Sequence, residues 1–223
     1  MWRVGLDPSF PPFEILDGAT QQPVGLDVDL AEAIAARWGV RTEFVGVGFD
    51  ELMDAVAARR IDAAVSALPV IEHRTRDVAF SDPYIEAGTV LAVPLTSTLE
   101  GPADLAGRRV AVEWGSIGDA EARRLARELT GGLTPVVRES VDAALGAVLA
   151  GEADAALVDA ISLALHPAAS RLRIAGEPLV SDPYVIVLPV GAPELLAEVN
   201  AALAALKSDG TLDRIYARWL TAP

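Results

Sequence analysis

Residues Ser66 to Tyr84 read SALPVIEHRTRDVAFSDPY. The segment follows a short apolar strand at Ile61–Val65 (IDAAV), passes Arg74 in polar surroundings, and ends in Phe-Ser-Asp-Pro-Tyr. An arginine just past the carboxyl end of a strand suggests a clamp for a small carboxylate. Its planar fork grips a carboxylate through two hydrogen bonds and stays charged at any physiological pH. Arg74 is the candidate, with Arg76 and Arg59 as ordinary surface alternatives. On spacing alone a helix cap or a solvated side chain is the better reading of Arg74, so the rest of the chain must decide.

Upstream, Arg3–Leu6 (RVGL) predicts a strand, and Asp7–Phe13 (DPSFPPF) a loop that its prolines keep out of helix. Asp27 is placed to cap a helix from Val28 to Trp38, with Leu30, Ala33, Ile34 and Trp38 on one face and Gly39 as its stop. Thr42–Val47 is the next strand and Asp50–Arg59 the next helix, with Leu52, Met53 and Val56 inward. Strand, helix, strand, helix, strand describes a parallel sheet with covered faces.

Downstream the grammar repeats. Arg109–Val112 is a strand, Glu113–Gly118 (EWGSIG) a loop, and Asp119 or a neighbour starts a helix to about Leu129. Thr134–Val137 follows as a strand. Ser140 caps a helix that Gly151 ends, and Ala153–Val158 is the last strand of this half. Asp62 and Asp154 lie in matching strings, IDAAV and ADAAL, and SDPY occurs at both Ser81–Tyr84 and Ser181–Tyr184. The economical reading is two similar α/β lobes. Residues 1–84 and 185–223 form lobe 1, 85–184 form lobe 2, and hinge crossovers fall near 82–88 and 181–186. Helices at about 193–206 and 212–220 complete lobe 1. Open α/β sheets bind ligands beyond the carboxyl ends of their strands, here expected to face each other across a cleft that closes by hinge motion.

Composition narrows the function. The chain has 223 residues, 52% hydrophobic, and a net charge of −14, which argues against nucleic acid and anionic membrane surfaces. No apolar run spans a bilayer. There is no cysteine, and the two histidines, His73 and His166, lie far apart, so neither a disulfide scaffold nor a Cys or His metal site is expected. No cofactor is implied. No export signal precedes Trp2, so the protein is either cytoplasmic or a mature form with its signal removed.

Set end to end, several motifs resemble the bacterial extracellular solute-binding proteins of family 3, the polar amino-acid-binding proteins of ABC importers. They are Pro11-Pro12-Phe13-Glu14, Gly25-Leu26-Asp27-Val28-Asp29-Leu30, Arg59-Arg60-Ile61-Asp62, Glu72-His73-Arg74 and Phe80–Tyr84. Asp104–Val112 with Gly115-Ser116, Asp154-Ala155-Ala156 with Asp159, and Leu206–Thr211 through Ile215 and Trp219 complete the set. The resemblance implies a type II periplasmic-binding-protein fold. It gives Arg74 to the ligand's α-carboxylate and Asp159 to its α-ammonium, with amide donors at Ser116 and Ile117. Phe10 and Phe49 become a wall around the ligand side chain, which Trp114 extends, and Asp7 meets the ligand's far end. Asp27 and Asp29 are read as helix-start residues, and Phe13 as core.

Two departures from the family pattern stand out. Ala67 and Pro69 stand where the family usually has Gly or Ser and then Thr or Ser, and Pro69 lacks the hydroxyl and N–H of the second; Ile117 stands where Thr is frequent. Asp7 and Glu113, at equivalent places in the two lobes, suit a basic side chain. The aromatic trio suits instead a compact cationic zwitterion of the betaine or ectoine type. Cationic amino acids rank first, such zwitterions second, neutral polar amino acids third. No nucleophile–base pair is evident, so a binder rather than an enzyme is expected. The enzyme alternative on this fold is a cyclohexadienyl-dehydratase-like protein, with Glu113 or Glu14 as general acid. A sensory module is a further possibility. The expected partner is a membrane permease, and the expected form a periplasmic or extracellular monomer, free or lipid-anchored.

Overall fold

The computed structural model describes residues 1–220; the last residues assigned to lobe 1 from sequence, 221–223, lie outside the described residues. The chain divides into two compact units. Among the described residues, unit 1 comprises Met1–Ile85 and 183–220, and unit 2 is Glu86–Asp182.

In chain order, unit 1 begins with β1 (Trp2–Leu6), β2 (Ser9–Phe10), β3 (Glu14–Leu16), β4 (Pro23–Val24), α1 (Leu26–Arg37), β5 (Thr42–Gly46), α2 (Leu52–Ala57), β6 (Ala63–Pro69), β7 (Val78–Phe80) and β8 (Ile85–Glu86). Unit 2 carries β9 (Thr89–Pro94), β10 (Arg109–Glu113), α3 (Ile117–Glu128), β11 (Thr134–Arg138), α4 (Val141–Leu149), β12 (Ala155–Asp159), α5 (Ala160–Leu165) and β13 (Leu172–Ile174). The chain then returns to unit 1 through β14 (Pro183–Pro189), α6 (Pro193–Ser208) and α7 (Thr211–Trp219).

Each main sheet is mixed. In unit 1 the order is β5-β1-β6-β14-β7, with β5, β1 and β6 parallel and β14 antiparallel to both of its neighbours. In unit 2 the order is β11-β10-β12-β9-β13, the first three parallel and β9 antiparallel to β12 and β13. The parallel strands are those the sequence marks by strand–helix alternation. The antiparallel strands adjoin the crossovers, where no helix intervenes to reverse the chain. Strand β6 runs on to Pro69, past the predicted end at Val65, because Leu68 and Pro69 pair with Val185 and Tyr184 of β14.

Helix α1 buries Leu26, Leu30 and Ile34, one turn apart on a single face, and Gly39 at φ 67° ends it. Its N-cap is Gly25, not Asp27. A Cβ at Gly25 would lie 2.0 Å from the Phe13 carbonyl oxygen, at φ 146°, so only glycine fits there. Asp27, already inside the helix, turns inward, whereas Asp29 accepts from Trp219 Nε1 at 2.7 Å and ties α7 to α1. Helix α3 starts two residues ahead of Asp119, with the Ser116 hydroxyl accepting from Asp119 N–H at 3.1 Å. Helix α2 is shorter than predicted because Phe49–Glu51 form a 3-10 turn and Arg59 adopts φ 59°.

Leu52, Val56, Ile61, Leu68, Val78 and Val187 form a core of unit 1. Unit 2 buries Leu145 and Val148 of α4 in one cluster and Leu125 of α3, with Leu105 and Leu157, in another. The two SDPY segments run side by side. Tyr84 N–H donates to Tyr184 O at 3.0 Å, and Ala87 N–H to Asp182 O at 3.1 Å. The Glu86 carboxylate accepts from Ser181 Oγ and Asp182 N–H, each at 2.6 Å, which holds it below the usual carboxylate range despite its partial burial.

Candidate functional site

In unit 1 the candidate residues gather where the strands end. Asp7 follows β1, and its Oδ2 accepts from Phe49 N–H at 2.9 Å, beyond β5. The Asp7 amide donates to Ser66 Oγ at 3.0 Å on β6. Phe10 is 48% exposed and Phe49 46%, large apolar faces left at the surface of the unit. Phe10 stacks on Phe13 with centroids 5.5 Å apart, and Phe13 is fully buried. Ala67 sits at φ 44°, a left-handed conformation unusual for a residue with a side chain, and Pro69 ends the strand.

Beneath this surface lies a carboxyl pair whose role the sequence does not reveal. Glu14 Oε1 accepts from Ser66 Oγ at 2.6 Å, and Asp27 Oδ2 accepts from Ala67 N–H at 2.6 Å. Both acids are 0% exposed. Burial, then the neighbouring charge of Asp27, pushes Glu14 far above the carboxylate range. Burial raises Asp27 less, because Glu14, the Ala67 amide and Tyr84 beside it favour its charged form. Two signals bear on this pair: Glu14 lies in an apolar run, PPFEI, and Asp27 falls on the same helix face as Leu30 and Ile34.

Arg74, in a 3-10 turn after β6, makes ion pairs with Asp54 Oδ1 at 2.5 Å and Asp77 Oδ2 at 3.3 Å. Its guanidinium thus has acidic company from α2 and from its own turn, and a ligand carboxylate would have to displace them.

In unit 2, Glu113, Trp114, Ser116 and Ile117 share one turn between β10 and α3. Ser116 N–H, expected as a ligand donor, instead donates to Glu113 O at 3.2 Å, because the turn closes on itself there. Ile117, the first residue of α3 and 58% exposed, keeps an amide that a helix does not satisfy internally. Trp114 is 75% exposed and borders a cavity of about 520 Å³ with Val137, Arg138, Glu139 and Ala143. Asp159 ends β12 and caps α5, its Oδ1 accepting from Ser162 N–H at 2.7 Å. A Cβ at Gly118 would lie 2.3 Å from Leu157 O, so the start of α3 is drawn tightly onto the strand that delivers Asp159.

Each unit therefore presents acids, amides and apolar side chains at its strand ends, the arrangement of a two-lobe solute-binding protein. The chain belongs to the bacterial extracellular solute-binding proteins, family 3, whose sequence profile matches residues 2–222. It is 30% identical to the lysine/arginine/ornithine-binding periplasmic protein of Escherichia coli (strain K12), over 97% of this chain and 86% of that relative. Among solved structures it is similar to an ancestral cationic amino acid solute binding protein, at 31% identity and a TM-score of 0.69, covering 99% of this chain and 95% of the other. It also resembles an ancestral cyclohexadienyl dehydratase, at 27% identity and a TM-score of 0.82, covering 98% and 92%. Among the described residues no helix is long and apolar enough to cross a membrane.

Proposed function

We propose that this chain captures a cationic amino acid such as arginine, lysine or ornithine outside the cytoplasm and passes it to the permease of an ABC importer. The observation that carries the reading is the Asp7 carboxylate, fixed by the Phe49 amide in the same half-site as the half-exposed rings of Phe10 and Phe49. A carboxylate with aromatic faces nearby suits a basic side chain. The ligand's α-carboxylate goes to Arg74 and the Ile117 amide, and its α-ammonium to Asp159. Arg74 gives up surface ion pairs to Asp54 and Asp77 in the exchange, and such pairs are worth little. Family membership and the names of the relatives support the same reading. In this reading the protein acts by binding alone, and of the two acids considered for dehydratase chemistry the burial of Glu14 under Ser66 weighs against it as a general acid.

A thermal-shift screen with the twenty amino acids, ornithine, citrulline, glycine betaine, ectoine and prephenate tests this. A ligand at 100 times its Kd adds about 2.7 kcal/mol of stability, which the method resolves. Arginine, lysine or ornithine should raise the Tm. A response to betaine or ectoine alone would overturn the amino-acid reading, and a response to prephenate alone the non-enzymatic one.

A further inference from the structure

The roles assigned above leave the Glu14–Asp27 pair unused. Glu14 comes from β3 and Asp27 from the first turn of α1, and each gives one oxygen to the chain segment that forms the half-site. Their other oxygens, Glu14 Oε2 and Asp27 Oδ1, are buried without a hydrogen-bond partner, and the two carboxyl groups lie close enough to act on each other. One proton held between them satisfies both oxygens. Two bare carboxylates would leave both unsatisfied and repelling. The other groups acting on the pair are Asp7, Ser66, Tyr84 and the Ala67 amide, with Tyr216 also feeling the Asp27 charge. None of them is a cation.

We propose that Glu14 and Asp27, holding a single proton between them, are positioning residues of the unit 1 half-site. Through Ser66 they orient the amide of Asp7, and directly they hold the left-handed backbone of Ala67. The inference rests on the reading that unit 1 carries half of a ligand site. A left-handed alanine persists only where its surroundings impose it, and here the irregular β6–β14 pairing between Ala64 and Leu68 and the Asp27–Ala67 bond both act on it. Ser66 has one hydrogen to give, and giving it to Glu14 leaves its lone pair for Asp7 N–H. Losing the shared proton therefore loosens the two amides that shape the site.

Burial keeps Glu14 protonated well above the pH at which an unfolded glutamate ionises, so the folded chain binds more protons. Stability from this source is full below the ordinary glutamate range and declines as pH rises toward the alkaline value of Glu14.

Three measurements test the proposal. In ¹⁵N NMR of the unliganded protein between about pH 7 and about pH 12, the Asp7 and Ala67 amide peaks should move with one shared midpoint. Glu14→Gln, which keeps the size and the donor, should abolish that movement and flatten the fall of Tm over the same range. At neutral pH, calorimetry with L-arginine should find Glu14→Gln within about threefold of wild type and Glu14→Leu about tenfold weaker. Immobile Asp7 and Ala67 amides, or a folded Glu14→Leu that binds arginine like wild type, would overturn the proposal. Absence of arginine binding by the wild type would remove only the ligand reading, since the amide shifts and melting curves still decide on the pair.

Discussion

Both units carry the same clasp. Arg3 N–H donates to Asp62 Oδ2 at 2.8 Å and its guanidinium meets Oδ1 at 2.7 Å; Arg109 makes the same two contacts with Asp154, at 2.8 and 3.0 Å. The units diverge in how the strand that carries this arginine reaches the next helix. In unit 2 a single turn joins β10 to α3. In unit 1 the small sheet β2-β3-β4 intervenes between β1 and α1. Both helices carry a buried acid in the first turn, Asp27 and Asp119, where the helix N-terminus favours negative charge. Asp119 has the Arg123 guanidinium at 2.9 Å, whereas Asp27 meets a second acid, which the excursion alone delivers. A buried acid in the first turn is thus balanced by a cation in one unit and by a shared proton in the other.

Five substitutions break or sharpen this contrast. Gly25→Ala puts a methyl group into the Phe13 carbonyl at a backbone angle that side chains avoid, and should cost on the order of 3 kcal/mol or more in urea denaturation. Arg74→Ala should weaken arginine binding about 100-fold in calorimetry, the scale of losing a desolvated charge partner. Its Tm should barely move, because the partners Asp54 and Asp77 are exposed. Ser116→Ala removes the α3 cap and should cost about 1 kcal/mol. If it costs as much as Gly25→Ala, the two helix starts are equivalent after all. Asp62→Asn and Asp154→Asn should each cost less than about 1 kcal/mol, and equally, since the half-exposed clasps match.

The repeated strand–helix order was legible because it is local: Leu30 and Ile34 mark a helix face, and IDAAV and ADAAL mark matching strands. The SDPY repeat likewise pointed to the paired crossovers. What escaped the sequence is non-local. Asp27 looked like a cap because Asp before an apolar run usually is one, and only the approach of Phe13 shows why Gly25 must take that place. Spacing could not show that Arg74 finds partners on α2 or that the Ser116 amide is spent on Glu113, since both depend on where a turn folds back. Glu14 and Asp27 lie apart in sequence, and their pairing needs β3, a three-residue strand too short to read from pattern.

The position of β14 bears on how the chain is made. Unit 2 is one unbroken stretch, Glu86–Asp182, while the unit 1 sheet has β14 between β6 and β7. A nascent chain halted at Asp182 would hold every strand of unit 2 but only an incomplete sheet for unit 1, with the edges of β6 and β7 unpaired. Domains fold as units during synthesis, so the inserted unit is ready before the one that surrounds it in sequence. The part of unit 1 made before unit 2 is therefore the last to find its fold, and until β14 arrives its open strand edges are what a chaperone would have to shield.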